Sequence, residues 1–386
     1  MQLFRNGIDT VFKIRVKLSR IMKIAAILPT WVGDTCMATP TLRAISKHSQ
    51  VEELLLIGRN APVDLLRGAP FAKNVLKFKP QSRTPGTLGR RQLIRTLKSR
   101  GLDAIVLFPN SLSSASIAFL SRIPRRIGYI RDCRGFLLTD GLPLRETEAD
   151  NTTGELKIIS WSQRPLVEYY AQLAKPLGCF VDDMRMEIGN SSEDELLANE
   201  CYHQLGLDPE APTVVLNNGS ATAVSRLWST EYCAILAHEL ANRNVQVIVH
   251  SGPSERLEAN AIASAADHPL VQSMGHIDPL PISLSRGVIR SAALVITTDS
   301  GVRHIAAALG RKSVVLYGPT SQILSKTFQS QEIPISAHLP CQPCTKSVCP
   351  LKHNRCMSDI KPDRVLHAVL QQLQLKSPKD SHTLAA

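Results

Sequence analysis

The sequence predicts an α/β protein made of two doubly wound domains that face each other across a cleft. Three observations carry that prediction. The chain has 386 residues, too many for one typical domain and comfortable for two. Short apolar runs alternate with helix-length patterns, and the alternation occurs twice along the chain. Each run is nearly continuous and of strand length, as expected of parallel strands covered on both faces.

In the first half, Lys23–Leu28 reads as a strand, followed by the Gly-containing turn Trp31-Val32-Gly33-Asp34 and a helix from about Ala38 to Ser46. Glu53–Ile57 and Ala104–Phe108 are further strands, and helical patterns lie near Leu88–Lys98 and Ser113–Leu120. Glu146–Gly154 is polar and reads as a loop. Near Ile188–Glu193 the run Gly-Asn-Ser-Ser-Glu-Asp breaks the pattern and can cap a new helix. In the second half, strands are expected at Val214–Asn217, Val245–His250, Ala292–Thr298 and Ser313–Tyr317. Helices are expected at Thr230–Asn242, Glu255–Ala265 and Val302–Leu309. The domains are therefore expected at 23–190 and 191–376. A basic amphipathic extension, 1–22, precedes them, and the composition of 377–386 predicts a disordered tail.

Apolar residues make up 44% of the chain, enough for sizeable cores, and no apolar run approaches the roughly 20 residues of a membrane span. Residues 1–20 lack the continuous apolar core of a signal peptide, so a cytoplasmic protein is expected. The net charge of +12 is uneven: residues 1–190 hold 29 Lys and Arg against 16 Asp and Glu, the rest 16 against 17. Either the first half meets an anionic partner, or the excess serves solubility alone. No basic motif is interleaved with aromatics in the way that stacks bases, which argues against nucleic acid.

The most informative segment is Thr297-Thr298-Asp299-Ser300-Gly301-Val302-Arg303-His304. A buried strand runs into a tight turn that opens a helix, whose free N–H groups and positive dipole end make a site for an anion. Gly301 lets a phosphate approach the backbone. A carboxylate would repel that phosphate, so Asp299, at the strand's carboxyl end, is expected to face a neutral polyol such as a sugar. Together these residues predict a nucleotide-sugar site, with Thr298, Asp299, Ser300 and Gly301 as binding residues.

Several motifs resemble one family. They are Ile27-Leu28-Pro29-Thr30-Trp31-Val32-Gly33-Asp34 with Met37-Ala38-Thr39-Pro40-Thr41-Leu42-Arg43, Phe108-Pro109-Asn110-Ser111 with Arg126-Ile127-Gly128-Tyr129, and Thr298-Asp299-Ser300-Gly301 with His304-Ile305-Ala306-Ala307-Ala308-Leu309-Gly310 and Leu316-Tyr317-Gly318-Pro319-Thr320. The tail Cys341-Gln342-Pro343-Cys344 through Cys349-Pro350 and Arg355-Cys356-Met357 completes them. In this order, over roughly residues 23–370, they resemble the lipopolysaccharide heptosyltransferases, glycosyltransferase family 9. The Trp-Val-Gly-Asp form and the tail are most similar to its heptosyltransferase II branch, which adds the second inner-core heptose. The resemblance implies a GT-B fold of two Rossmann-like domains, an ADP-heptose donor, and inversion at the anomeric carbon with no required metal or other cofactor. It also implies a Kdo-lipid A or heptosyl-Kdo-lipid A acceptor, met by peripheral contact at the cytoplasmic face of the inner membrane. A heptosyltransferase I, a family member using another nucleotide sugar, and a non-catalytic binding module are the alternatives.

Within the resemblance, Asp34 is the expected catalytic base, desolvated by Trp31 and by domain closure; by itself, an Asp there also suits a turn or helix cap. Thr30 is a hydroxyl donor facing Ser300 and Gly301 from the other domain. Arg226 stands where the family usually has Lys, and Asn217-Asn218-Gly219-Ser220 where many relatives have Pro-Gly-Ala. Arg226 is expected on the diphosphate, or on the surface before a helix. His304 is placed either to donate to the diphosphate or to hold the loop. Glu255 is placed to hold a ribose or to start a helix. Arg67, Arg90, Arg91, Arg122, Arg125 and Arg126 are expected along the acceptor's approach. Cys341, Cys344, Cys349 and Cys356, with His353 between them, read first as free, partly buried thiols and second as a structural zinc site.

Overall fold

A computed structural model of the chain describes residues 21–81, 85–149, 156–160, 163–219 and 223–374. The expected basic segment 1–20 and the tail 377–386 lie outside them. Strands β1 (Met22–Ile27), β2 (Val51–Gly58), β3 (Asn74–Lys77), β4 (Ala104–Leu107), β5 (Arg125–Tyr129) and β6 (Asp140–Leu142) form one parallel sheet in the order β3-β2-β1-β4-β5-β6. An antiparallel pair follows, β7 (Arg145–Ala149) and β8 (Leu156–Ser160). Strands β9 (Thr213–Asn217), β10 (Gln246–Val249), β11 (Val271–Ser273), β12 (Leu294–Thr298), β13 (Ser313–Tyr317) and β14 (Glu332–Ser336) repeat the first plan, parallel throughout, as β11-β10-β9-β12-β13-β14. Both orders are the doubly wound one, whose crevice opens where the order reverses, at β1/β4 and β9/β12.

The period-2 geometry of strands explains the layers. Ile24, Ala26, Leu54 and Leu56 point to the side covered by α1 (Val32–Lys47) and α2 (Asn60–Leu65). Ala25, Ile27, Leu55 and Ile57 point to the side covered by α3 (Arg90–Ser99) and α4 (Leu112–Leu120). Helices α5 (Leu166–Ala171) and α6 (Ser192–Gln204) join the first side. In the second half, α7 (Thr230–Ala241), α8 (Arg256–Ala266) and α12 (Pro362–Leu373) share one core with β9, β10 and β12, and the one-turn helix α11 (Arg355–Ser358) adds Cys356 and Met357 to it. Helices α9 (Ile282–Ser291) and α10 (Gly301–Ala308) face the other way and merge with the core of α1, α2 and α5. The two halves thus share one apolar core behind the cleft. Arg286 of α9 ties them there: fully buried, it forms a fork on Asp194 (2.7 and 2.8 Å) and donates to the carbonyls of Leu65 (2.6 Å) and Arg67 (2.9 Å).

Three expectations need correction. Helix α1 starts at Val32, six residues before the expected Ala38, and runs through Pro40. Pro40 has no N–H for the carbonyl of Cys36, and the Thr39 hydroxyl donates to that carbonyl instead (2.7 Å), which lets the helix continue. Glu146–Ala149 lies in β7 rather than a loop, because a two-stranded pair outside the main sheets needs no apolar run. Strands β3, β6, β11 and β14, the sheet edges, and β5 beside one of them were not expected; three to five residues leave too short a pattern to read.

Candidate active site

The cleft between the two sheets has a volume of about 1210 Å³ and is lined at its centre by Gly33, Asp34, Arg226, Asp299, Ser300 and His304. Two helices start there. Neither the N-terminus of α1, at Trp31, nor that of α10, at Ser300, has a side-chain cap. They abut across the domain boundary. A Cβ added at Gly33 would stand 2.9 Å from Cδ2 of His304, so only glycine permits this approach. The outcome is two positive helix ends with free N–H groups facing one space, a stronger anion site than either alone.

Asp34 occupies the first turn of α1, half-buried, and burial pushes its carboxyl up to about 6. Among the described residues no hydrogen bond or ion pair is made by it. Trp31 lines the cleft but is 56% exposed, so it shields Asp34 less than expected. Tyr170 and Met37 line the same wall.

Across the cleft, Asp299 is buried and its Oδ1 accepts from Arg303 Nη1 (2.7 Å). Burial alone would raise this carboxyl; the Arg303 charge, with its hydrogen bond, outweighs it and holds the group below the ordinary carboxylate range. Arg303 is itself buried, forked on Glu332 (2.9 Å twice) and stacked 5.0 Å from the Tyr317 ring. Asp299 is thus an ionised, fixed acceptor. Arg226 Nη1 donates to the carbonyl of Asp299 (3.2 Å), which sets its guanidinium beside the head of α10. Burial, with Arg303 nearby, pushes the buried His304 down to about 3, so it is neutral, and its Nδ1 lacks a partner among the described residues. Glu255 lines the cleft, accepts from the N–H of Gly252 (3.0 Å), and packs so closely on Gly219 that a side chain at 219 would displace its carboxylate.

Two expected residues lie elsewhere. Thr30 is exposed, and Thr298 is buried, donating to the carbonyl of Gly219 (3.3 Å); neither lines the cleft. Of the expected acceptor arginines, none lines it. Arg67 pairs with Asp64 and Glu193, Arg125 with Asp140, and Arg126 is held on the carbonyls of Leu137 and Ile123. Arg131, Arg145 and Arg164 line the N-terminal wall instead.

A polar relay that the sequence did not reveal supports Ser300. Asn217 Nδ2 donates to the Ser300 and Thr297 hydroxyls (3.0 and 3.1 Å), while its Oδ1 faces His250 Nδ1 (3.2 Å). Because Asn217 Oδ1 can only accept, the proton is assigned to His250 Nδ1, and His250 Nε2 accepts from Ser285 (2.9 Å). Burial pushes His250 down to about 4, so the relay is uncharged. Each member sits on or just past the carboxyl end of an apolar strand, or on the helix facing it; that position was the only available signal.

The tail cysteines are free, with Cys341, Cys344 and Cys349 half-buried and Cys356 buried. Among the described residues no group of three His, Cys, Asp or Glu side chains is set as metal ligands, and burial, with Cys344, Cys349 and Cys341 nearby, pushes the Cys356 thiol up to about 11.

The model of glycosyltransferase family 9 (heptosyltransferase) matches residues 90–354. Lipopolysaccharide heptosyltransferase 2 of Escherichia coli is 26% identical over 352 residues, 89% of this chain and 97% of its own. Lipooligosaccharide heptosyltransferase 2 of Campylobacter jejuni is 24% identical over 349 residues, 90% and 98%. Among solved structures, the E. coli ADP-heptose LPS heptosyltransferase II superposes with a TM-score of 0.71 at 22% identity, covering 92% of this chain and 99% of that one. An E. coli heptosyltransferase solved with ADP gives 0.64 at 14% identity, 91% and 100%. These likenesses establish the fold as GT-B. The match over most of the chain places it in glycosyltransferase family 9, as a glycosyltransferase.

Proposed function

We propose that this enzyme moves a heptose from ADP-L-glycero-D-manno-heptose to the inner core of lipopolysaccharide with inversion, in the manner of a heptosyltransferase II. The names of its relatives support the sugar and the acceptor. The observation that carries the mechanism is Asp34: a carboxylate with a pKa near 6, facing an uncapped helix end across the cleft. Its base strength suits proton abstraction near neutral pH better than an ordinary carboxylate does.

In the proposed step Asp34 takes the proton of an acceptor hydroxyl while that oxygen forms its bond to the anomeric carbon. The bond from that carbon to the diphosphate breaks on the opposite face, and the electron pair leaves with ADP. Backbone N–H groups of Gly301 and its neighbours, the α1 end and Arg226 meet the charge that develops on the leaving oxygen. Asp299, held ionised by Arg303, accepts hydrogen bonds from sugar hydroxyls, and Glu255 from the ribose. The acceptor, Kdo-lipid A or heptosyl-Kdo-lipid A, enters along the arginine-bearing N-terminal wall at the cytoplasmic face of the inner membrane.

Calorimetric titration with ADP-heptose, ADP and UDP, followed by transfer to Kdo2-lipid A with and without one heptose, tests the proposal. Tighter ADP than UDP binding and a requirement for the first heptose are expected. A preference for UDP sinks the donor assignment, and equal transfer to the heptose-free acceptor sinks the branch.

A further inference from the structure

On the outer face of the N-terminal domain, α3 and α4 are the only helices covering the sheet among the described residues, and their surface is unusual. Leu112, Phe119, Leu120, Ile130 and Phe136 are exposed large apolar side chains, Phe136 at 77%. They belong to one connected area. Arg126 lies over the Phe119 ring at 5.5 Å, Ile130 packs on Gly135 beside Phe136, and Arg90 of α3 donates to Ser113 of α4 (2.7 Å). The charge around this area is mostly of one sign. Residues 90–136 contain ten Lys and Arg and two acids, Asp103 and Asp132, the second paired with Arg131 (3.6 Å). Asp103 precedes β4, at the amino end of the sheet, where it accepts from the Lys23 N–H (2.9 Å). Arg91, Arg95 and Lys98 form an exposed stripe at helical spacing on α3, and Arg122 is exposed at the end of α4. The area also adjoins the cleft. Asn110, just before α4, and Arg131, next to Ile130, line the cleft wall.

We infer that this α3–α4 face docks on an anionic lipid surface, the aromatic and aliphatic side chains entering the headgroup layer and the basic stripe meeting lipid phosphates. Apolar side chains ringed by Lys and Arg are the composition that interfacial binding requires, and the two nearby acids, Asp132 and Asp140, are each ion-paired with an arginine, which leaves the excess of cations to attract lipid phosphates. Phe119 under Arg126 combines both contacts in one place. The position explains its use: with this face on the bilayer, the N-terminal mouth of the cleft opens at the lipid surface. A lipid-anchored acceptor could then present its sugars to Asp34 without leaving the membrane. The inference rests on the glycolipid acceptor proposed above.

The test compares wild type with Phe119→Ser/Phe136→Ser and Arg95→Glu/Lys98→Glu. Sedimentation with vesicles of equal parts phosphatidylethanolamine and phosphatidylglycerol reads binding. Transfer is measured to acceptor embedded in those vesicles and to the same acceptor after complete deacylation. Wild type should bind these vesicles and not phosphatidylcholine vesicles. The charge-reversed variant should lose about tenfold or more in binding, and each variant should lose transfer to embedded acceptor while keeping transfer to the deacylated one. If either variant binds as wild type does, or wild type does not bind, the inference is overturned. If the aromatic variant instead turns a dimer into a monomer with binding unchanged, the face joins two copies of the chain and the inference also fails. Failure of wild type to transfer to the deacylated acceptor, with vesicle binding intact, would count against the proposed reaction and not against the docking face.

Discussion

Asp34→Asn should make the protein both nearly inactive and more stable. The carboxyl is raised from 3.8 to about 6 by burial. At 1.36 kcal/mol per unit, keeping it ionised in the folded state at pH 7 costs about 3 kcal/mol. The first-turn position in α1 returns some of this, since an anion there gains about 0.3–1 kcal/mol from the helix dipole, and Asn would lose that gain. The net expectation is stabilisation by about 2 kcal/mol above pH 6. The sign follows from proton binding. Between 3.8 and about 6 the folded state holds the Asp34 proton more tightly than the unfolded state, so wild type loses stability as pH rises through that window. The variant does not, and the two should converge below it. Urea denaturation of both proteins at pH 8 and pH 4 reads the difference. In parallel, turnover should fall by about 10²–10⁴, the usual worth of a general base. Wild-type kcat/KM should fall about tenfold between pH 7 and pH 5, as the ionised fraction of a group at 6 requires. His250 and His304, at about 4 and about 3, are already neutral and cannot produce that limb. Retained turnover in the Asn variant would put the base elsewhere. Lost turnover without a pH-dependent gain in stability would refute burial as the source of its base strength.

Gly33→Ala places a Cβ at 2.9 Å from Cδ2 of His304, well inside ordinary contact, so the ends of α1 and α10 must part. Turnover should fall by about 10²-fold or less for a shift of up to 1 Å, with a modest stability change; unchanged kinetics would show that the contact is not needed. Arg226→Ala should weaken ADP binding by roughly 10–150-fold, the worth of a hydrogen bond to a charged group, and an unchanged Kd in calorimetry would remove Arg226 from the diphosphate. Asp194→Ala leaves the buried Arg286 guanidinium without its counter-charge at the domain junction, and should cost about 3–5 kcal/mol in chemical denaturation. A loss below about 1 kcal/mol would mean that water or another acid replaces it.

What could be read from the sequence depended on how local the cause was. Central strands such as β1, β9 and β12 announce themselves, because burial on both faces leaves only apolar residues between turns. The uncapped helix start at Ser300 and Gly301 was legible for the same reason, since a strand, a turn and a helix start are consecutive. The start of α1 was not, because Gly33 and Pro40 read as breakers when their compensations are invisible: His304 lies in the other domain, and Thr39 bonds back to Cys36. The relay through Asn217, His250 and Ser285 joins residues 33 and 35 positions apart, and nothing in the local pattern links them. Arg303 was passed over because a lone Arg in a helix reads as surface, whereas here Asp299 and Glu332 neutralise it in the interior.

In the proposed reaction, the Gly33–His304 contact would also let a base and an anion site coexist. A carboxylate and a diphosphate repel each other, and in an open, hydrated cleft Asp34 would return toward its ordinary pKa, a weaker base. Domain contact changes both terms at once. It brings the α10 end against the α1 end, which adds positive potential where phosphates would sit, and it covers the residue next to Asp34, which removes water from its side of the cleft. In the proposed reaction, base strength and charge stabilisation would therefore arise from one domain contact instead of two separately tuned environments. His304 suits that junction because it is neutral: a charged imidazolium there would add to the cations already present but would also lower the pKa of Asp34. A substitution that makes position 304 permanently cationic, His304→Arg, should therefore move the acid limb of kcat/KM below 6 even if it tightens ADP binding. If the limb stays in place while ADP binding tightens, the two groups do not sense each other across the cleft.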